Sequence, residues 1–301
     1  MGKVTRIKGD MDDVDALLEI LSVIKDVATN RFFTFAQRKA NFQRFFETFL
    51  EFFQVMQNVE SDCPLLKNDR PEVTILTIAS DQAFMSQLNS RVASIAFQLY
   101  QKTPNATISC LGKRCAERLK VLGVTDFDRV FTGAEFPDRY SLSLGIRDYI
   151  VDRVMSGKAG KVLLVHLWAK TFSIIKPRIL TLLPASELVR TSGGELTEEG
   201  EAVQEAVGDS GEDNLIMESD PNKMMKALAD IWIHSRLYEI MSDVLIVEAA
   251  VQAQQLESAL ESLGSEKKSL MVSFRKAGRE ELNKAMREVF TQSSVTKGGK
   301  R

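Results

Sequence analysis

Two short stretches carry residue types that could hold a phosphate, and neither is complete. Gly157-Lys158-Ala159-Gly160-Lys161 has the glycines and lysines of a phosphate loop. Its spacing departs from G-x-x-x-x-G-K-[ST], however, with Val162 in place of Ser or Thr and a predicted strand following instead of a helix, so a solvated turn is the better reading. Ala79-Ser80-Asp81-Gln82-Ala83 follows a predicted strand, as a dinucleotide fingerprint does, but lacks the glycines that let a backbone approach a pyrophosphate. Asp81 with Ser80 is expected to cap the helix that follows or to join a functional turn. His166 lies in an apolar strand and His234 on an apolar helix face beside Trp232, both placed as packed residues. Cys63, Cys110 and Cys115 are odd in number and lack scaffold spacing, which points to a reducing compartment without disulfides or zinc. No nucleophile or paired-carboxylate constellation assembles, so neither a catalytic site nor a cofactor or metal is expected.

The bulk properties are those of an ordinary soluble composition. The chain has 301 residues, 44% hydrophobic and 27% charged, and a formal net charge of −2. Nucleic-acid affinity comes mainly from neutralising phosphates, so a near-neutral chain is not expected to bind nucleic acid. The segment 1–15 carries Asp10, Asp12, Asp13 and Asp15, unlike a secretory or transit peptide. Gly2 invites myristoylation, but Arg6 stands where Ser or Thr is wanted. No apolar run reaches the roughly 18 residues of a membrane span.

The elements that position these residues follow from periodicity. Met225 to Phe290 has no proline and reads as one helix. Ala249, Leu256, Leu263, Leu270 and Ala277 fall seven apart, with Leu260 and Phe274 between, which is coiled-coil spacing. At ~1.5 Å per residue such a helix extends roughly 100 Å and must lie against something equally long. Asp13 to Gln57 supplies it, with Leu17, Leu21, Ile24, Ala28, Phe32 and Phe35 as one stripe. Phe42, Phe45, Phe46, Phe49, Phe52, Phe53 and Met56 continue that stripe. Nine of the 17 Phe lie between Phe32 and Phe53, more than a two-stranded seam covers, so this face is expected against a folded domain, with an exposed partner or lipid face as the alternative.

Between these helices the period changes. Strands near 73–80, 106–111, 129–132 and 161–168 alternate with helices at 85–101, 114–121 and 137–156, which predicts a largely parallel sheet. A last strand, 171–183, follows after a short turn and is expected as an antiparallel hairpin at the sheet edge. From Ser186 to Asp220 there are 11 acidic residues against one basic, with scattered glycines, so this reads as a mobile acidic loop or a partner-contacting insert. The expected organisation is an N-terminal helix (10–60), an α/β domain with an edge hairpin (72–185), an acidic linker (186–220) and a C-terminal helix (221–294).

Helices from opposite ends of a chain that pair around an inserted α/β domain resemble the gamma subunit of F-type ATP synthases, the central rotor shaft. Val27-Ala28-Thr29-Asn30-Arg31-Phe32 is similar to that family's Val-Ala-Ala-Ser-Lys-Leu. Ser80-Asp81-Gln82-Ala83-Phe84-Met85-Ser86-Gln87-Leu88-Asn89-Ser90 stands where the family has Ser-Asp-Arg-Gly-Leu-Cys-Gly-Gly-Leu-Asn-Ser. Val162-Leu163-Leu164-Val165-His166, Lys176-Pro177 and Leu182-Leu183-Pro184 follow the family's edge hairpin. Leu215 to Pro221, Leu237-Tyr238 and Glu248-Ala249-Ala250 track the approach to its last helix. The family's Tyr-Asn-Arg-Ala-Arg-Gln is broken here as Phe274-Arg275-Lys276-Ala277-Gly278-Arg279, a diverged gamma-like pattern.

The resemblance implies Rossmann-like α/β architecture combined with a long antiparallel coiled coil. It implies a shaft turning inside a ring of three catalytic and three non-catalytic nucleotide-binding subunits, performing no chemistry itself in a proton- or sodium-coupled complex. Arg275, Lys276, Arg279, Lys284 and Arg287 would then meet acidic loops of the ring, with a solvated helix end as the alternative. Phe42, Phe46, Phe49, Phe53, Leu256, Leu260, Leu263, Leu270 and Phe274 would form the shaft seam. Ser80, Asp81 and Asn89 would form a turn at the foot, where a small companion subunit and, given a membrane sector, the membrane rotor ring would bind. The resemblance thus implies a cytoplasmic chain, peripheral to the inner face of the cell membrane if a membrane sector is present. The competing readings are a non-rotary coiled-coil scaffold and a nucleotide-binding regulator.

Overall fold

The structure, a computed structural model, describes residues 2–56, 62–133, 139–185 and 220–298, with side chains described except at 40–56, 221 and 291–298. Among the described residues there are five strands, β1 (Val73–Ile78), β2 (Ala106–Leu111), β3 (Arg129–Phe131), β4 (Lys161–Ala169) and β5 (Ile175–Leu183). The helices are α1 (Lys3–Met56), α2 (Ser86–Lys102), α3 (Lys113–Leu122), α4 (Arg139–Met155) and α5 (Pro221–Gly298). Two compact units result. One comprises Met1–Asn30 and Gln252–Arg301, and the other Arg31–Val251. The acidic segment predicted at 186–220 lies, apart from its last residue, outside the described residues, as do the side chains of Phe42, Phe46, Phe49 and Phe53.

The Arg31–Val251 unit is built on one sheet of order β3-β2-β1-β4-β5. β1 pairs in parallel with both β2 and β4, while β5 runs antiparallel to β4 as the edge hairpin. Val-Thr-Ile-Leu-Thr-Ile can serve as the central strand because a parallel sheet covered on both faces suits a continuous β-rich run. Strand alternation sends Leu76, Ile78, Leu111, Val162 and Leu164 to one face, against Ile146, Ile150 and Val154 of α4 and Met225 to Val244 of α5. Ile75, Ile108, Cys110, Val165 and Leu167 point to the other face, against Val92, Ala93 and Ala96 of α2 and Cys115 and Leu119 of α3. Further along α5, Val247 and Val251 join this second core. Between Val244 and Val247, α5 therefore passes the carboxyl edge of the sheet. There Ile246, Ala249 and Ala250 pack with Phe32 of α1 and Phe172 of the hairpin turn.

The other unit is an antiparallel helix pair. Ion pairs at Lys3–Glu280 (3.2 Å), Asp15–Lys267 (2.5 Å) and Lys25–Glu257 (3.9 Å) climb α1 as they descend α5. Exposed pairs of this kind contribute little stability, so the seam holds the helices together. On α1 the shielded positions are Val4, Ile7, Met11, Val14, Leu18, Leu21, Lys25 and Ala28, an unbroken alternation of three and four. Leu17 and Ile24, expected in the buried stripe, are instead 48% and 38% exposed. They belong with Ile20 and Val27 to a second apolar row about one residue around the helix, which α5 does not cover. On α5, Leu256, Leu260, Leu263, Leu270 and Phe274 are half-buried and Ala277 is buried.

Candidate functional site

In an open α/β sheet, ligands enter at the carboxyl ends of strands where the strand order reverses. Here that point lies between β1 and β4, because the chain moves outward from β1 to β3 and then returns to β4 on the other side. The turn after β1 is held tightly at this place. The Asn89 amide donates to the Ser80 carbonyl at 2.6 Å, and the Ser80 hydroxyl accepts from the Gln82 backbone N–H at 3.0 Å. The same hydroxyl donates to the Glu248 carboxylate of α5. Burial pushes the Glu248 carboxyl above the usual carboxylate range, while the Ser80 hydrogen bond and the charges of Arg139 and Arg31 work to lower it. A helix thus occupies the crevice and brings a carboxylate to the position a phosphate would need, where two anions would repel.

Asp81 does not cap the helix after its own strand. The residue preceding α2 is Met85, which makes no capping side-chain bond. Asp81 instead accepts from the Arg114 backbone N–H in the first turn of α3 at 3.1 Å, and its own carbonyl accepts from Arg114 Nε at 2.9 Å. The turn therefore joins two successive βα units and places a carboxylate at the positive end of α3.

The second phosphate-loop candidate is a latch. The backbone N–H groups of Gly157, Lys158, Ala159, Gly160 and Lys161 donate to the carbonyls of Val154, Arg153, Arg153, Glu72 and Glu72 respectively. With all five amides engaged, the loop has none to offer an anion. Its glycines serve packing. A Cβ at Gly160 would lie 2.1 Å from the Arg70 carbonyl oxygen, and Gly157 has φ +75° with its carbonyl accepting from Arg70. Gly160→Ala is expected to destabilise the Arg31–Val251 unit by about 1–3 kcal/mol, because backbone must move to admit the methyl group. Urea denaturation measures this, and an unchanged midpoint would contradict the latch.

The remaining reactive residue types are shielded. His166 is 2% exposed, and its Nδ1–H donates to the Leu167 carbonyl at 2.9 Å. Burial, with the cations Arg178, Arg236 and Lys39 nearby, lowers its pKa to about 3. His234 packs edge-on against Tyr140 at 4.9 Å. The three cysteines are buried and form no disulfide. Burial raises the Cys110 thiol to about 12 and that of Cys115 further still, which removes thiolate chemistry at neutral pH.

What the sequence reading missed is a row of charges inside the second unit. Lys39 of α1 donates to Asp243 of α5 at 2.6 Å and lies 4.0 Å from Glu239, which in turn pairs with Arg236. The signal was present, since Arg236, Glu239 and Asp243 stand three and four apart within an apolar helix, where solvent-facing charges would be out of place. The site as a whole is thus a junction of helices and sheet in which Ser80 bonds Glu248 and Lys39 bonds Asp243 across elements.

A family model described as ATP synthase matches residues 3–291. The chain belongs to that family. The chloroplastic ATP synthase gamma chain of Trieres chinensis is 22% identical over 259 residues, covering 78% of this chain and 67% of the relative. The ATP synthase gamma chain of Helicobacter pylori strain G27 is 22% identical over 222 residues, covering 72% and 70%. A chain in the Euglena gracilis mitochondrial ATP synthase superposes with a TM-score of 0.58 at 13% identity, covering 99% of this chain and 96% of that one. A chain from the central stalk and c-ring of Tetrahymena thermophila mitochondrial ATP synthase gives 0.55 at 15%, covering 80% and 99%. The structural likeness carries the fold, and the family match together with its gamma-chain relatives makes this a gamma-type chain of the ATP synthase family. In this gamma-type chain Arg275, Lys276, Arg279, Lys284 and Arg287 are all exposed on α5, interleaved with exposed Glu280, Glu281 and Glu288. Ser80, Asp81 and Asn89 come together around one turn, as described above.

Proposed function

We propose that this chain turns as the shaft of a rotary ATPase, passing rotation between a hexameric ATPase ring and whatever drives or loads its other end. The observation that supports this best is the helix pair itself. α1 and α5 run antiparallel in one unit, and both continue by covalent chain into a unit whose ligand crevice is filled by α5. A rotor of this kind works by presenting different faces to identical sites, so that each angle favours a different conformation and nucleotide affinity. Arg275, Lys276, Arg279, Lys284 and Arg287 supply cationic contacts to acidic loops lining the ring. In the turn of Ser80, Asp81 and Asn89 the first and last are buried, so Asp81 is the member that would meet a small companion subunit and, in a membrane-coupled complex, a proton- or sodium-driven rotor ring. Among the described residues no helix is long and apolar enough to cross a membrane, and a place peripheral to the inner face belongs to the same proposal.

Co-expression with the catalytic and non-catalytic ring subunits tests the reading. A stable complex is expected, with ATP driving stepwise rotation of a probe on this chain. Reversing charge at Arg275 and Arg279 is expected to lower the ATP hydrolysis rate of the complex several-fold. Isolation of the chain with unrelated partners, or a ring complex in which it stays still, would favour a non-rotary scaffold.

A further inference from the structure

Resting on the shaft reading, the charge row of the second unit acquires a mechanical role. Asp243, Lys39, Glu239 and Arg236 form an alternating chain of two anions and two cations, with side-chain exposures of only 6%, 19%, 7% and 18%. Three elements meet there. Lys39 comes from α1, and the other three come from one face of α5. The β4–β5 hairpin supplies His166 and Arg178, which stand opposite one another in register, with Arg178 held over the Trp168 ring at 5.6 Å. The charges of Arg236, Asp243 and Glu239 act on Arg178, and those of Arg236 and Lys39 act on His166, so both hairpin residues lie within electrostatic reach of the row.

An ion chain in such a place adds little net stability, because desolvating each charge offsets most of the Coulomb attraction. What it does supply is specificity of alignment. Apolar side chains tolerate sliding and rotation, whereas a 2.6 Å Lys–Asp bond out of water is lost if α1 shifts by a fraction of a turn. We propose that Lys39, Glu239, Asp243 and Arg236 are positioning residues that lock α1 to α5 against the hairpin, and so set the torsional stiffness between the helix pair and the α/β sheet.

The test uses the assembled ring complex, with the ring fixed and a bead attached at Lys102→Cys, an exposed position in the last turn of α2. The native cysteines are buried and do not compete for the label. With the ring stalled by a non-hydrolysable nucleotide, the angular variance of the bead reports stiffness. The double variant Lys39→Met with Asp243→Leu removes the lock without stranding a charge, so it is expected to assemble with near-normal yield while its angular variance widens at least about twofold. Lys39→Arg, which keeps the cation, is expected to restore most of the wild-type variance. Unchanged variance in the assembled double variant would overturn the proposal. So would assembly as poor in the double variant as in Lys39→Met alone, since the row would then hold the fold together and not its alignment. A failed shaft reading has a different signature, in which the wild-type bead does not turn under ATP.

Discussion

Replacing Arg153 with Met is expected to destabilise the Arg31–Val251 unit by about 2–3 kcal/mol, the cost of taking a charged donor from shielded hydroxyls, since the Asp128 carboxylate it also leaves keeps access to water. Arg153 of α4 is 6% exposed and lies under the sheet face that carries Thr74 and Thr107. Its Nε donates to the Thr74 hydroxyl at 3.0 Å, and one terminal nitrogen donates to the Thr107 hydroxyl at 2.8 Å. Its other terminal nitrogen meets Asp128 at 2.5 Å. Tyr149 completes the group, donating its hydroxyl to Asp128 and sharing a 2.6 Å hydrogen bond with Ser109. Burial, then the bond to Asp128, raises the Tyr149 phenol to about 12. Burial alone would raise the Asp128 carboxyl, but hydrogen bonds from Tyr149 and Arg153 hold it below the usual carboxylate range.

Methionine fills the space but takes the guanidinium from all three acceptors, leaving Asp128 its bond from Tyr149 and the two threonine hydroxyls their 3.3 Å contact with each other. Lysine is expected to rescue little, because one ammonium cannot reach Thr74, Thr107 and Asp128 along the three directions that a planar guanidinium spans. Guanidinium denaturation followed by circular dichroism measures both variants. A loss below about 1 kcal/mol for Arg153→Met would mean that α4 is held by Ile146, Ile150 and Val154 alone.

Arg153 also marks where sequence reasoning stops. The sheet was legible because its strands are short β-rich runs bounded by turn residues, and because α/β alternation with one short final connection allows few topologies. The two long helices were legible from uninterrupted period. Their facing was legible only on α5. α1 carries two apolar rows, and periodicity cannot say whether α5 covers the row of Leu17 and Ile24 or that of Val14, Leu18 and Leu21. Asp81 was read against its local neighbours, and the structure gives it to Arg114, a partner 33 residues away that no local rule selects. Arg153 and Lys39 look like solvated charges because burial of a charge depends on what other elements converge on it, and the apolar helix around Glu239 and Asp243 hints at their burial without naming Lys39 as the partner. Glu248 could be matched to a family position, but its bond to Ser80 required knowing that α5 crosses the carboxyl edge of β1.

His166 allows that convergence to be measured with acid. An unfolded chain protonates its histidines near pH 6.5, whereas burial and the neighbouring cations hold His166 neutral in the fold down to about pH 3. Between these values the unfolded state binds a proton that the folded state does not. Stability from this group is therefore complete above pH 6.5 and is lost as pH falls, by about 1.4 kcal/mol per pH unit. From pH 6.5 to 5 the loss reaches about 2 kcal/mol, a large fraction of a marginal domain's stability. Carboxylates titrate over part of the same range, so the quantity to measure is the difference between wild type and His166→Gln, whose side chain takes up no proton. Denaturant unfolding at pH 7, 6 and 5 is expected to show the wild type losing stability more steeply. The separation arises because a proton on His166 would add a cation beside Arg178, Arg236 and Lys39, where Glu239 and Asp243 already answer two positive charges. Parallel pH profiles would mean that His166 is protonated in the fold, and the packing of the hairpin against α5 would then have to open enough to hydrate it.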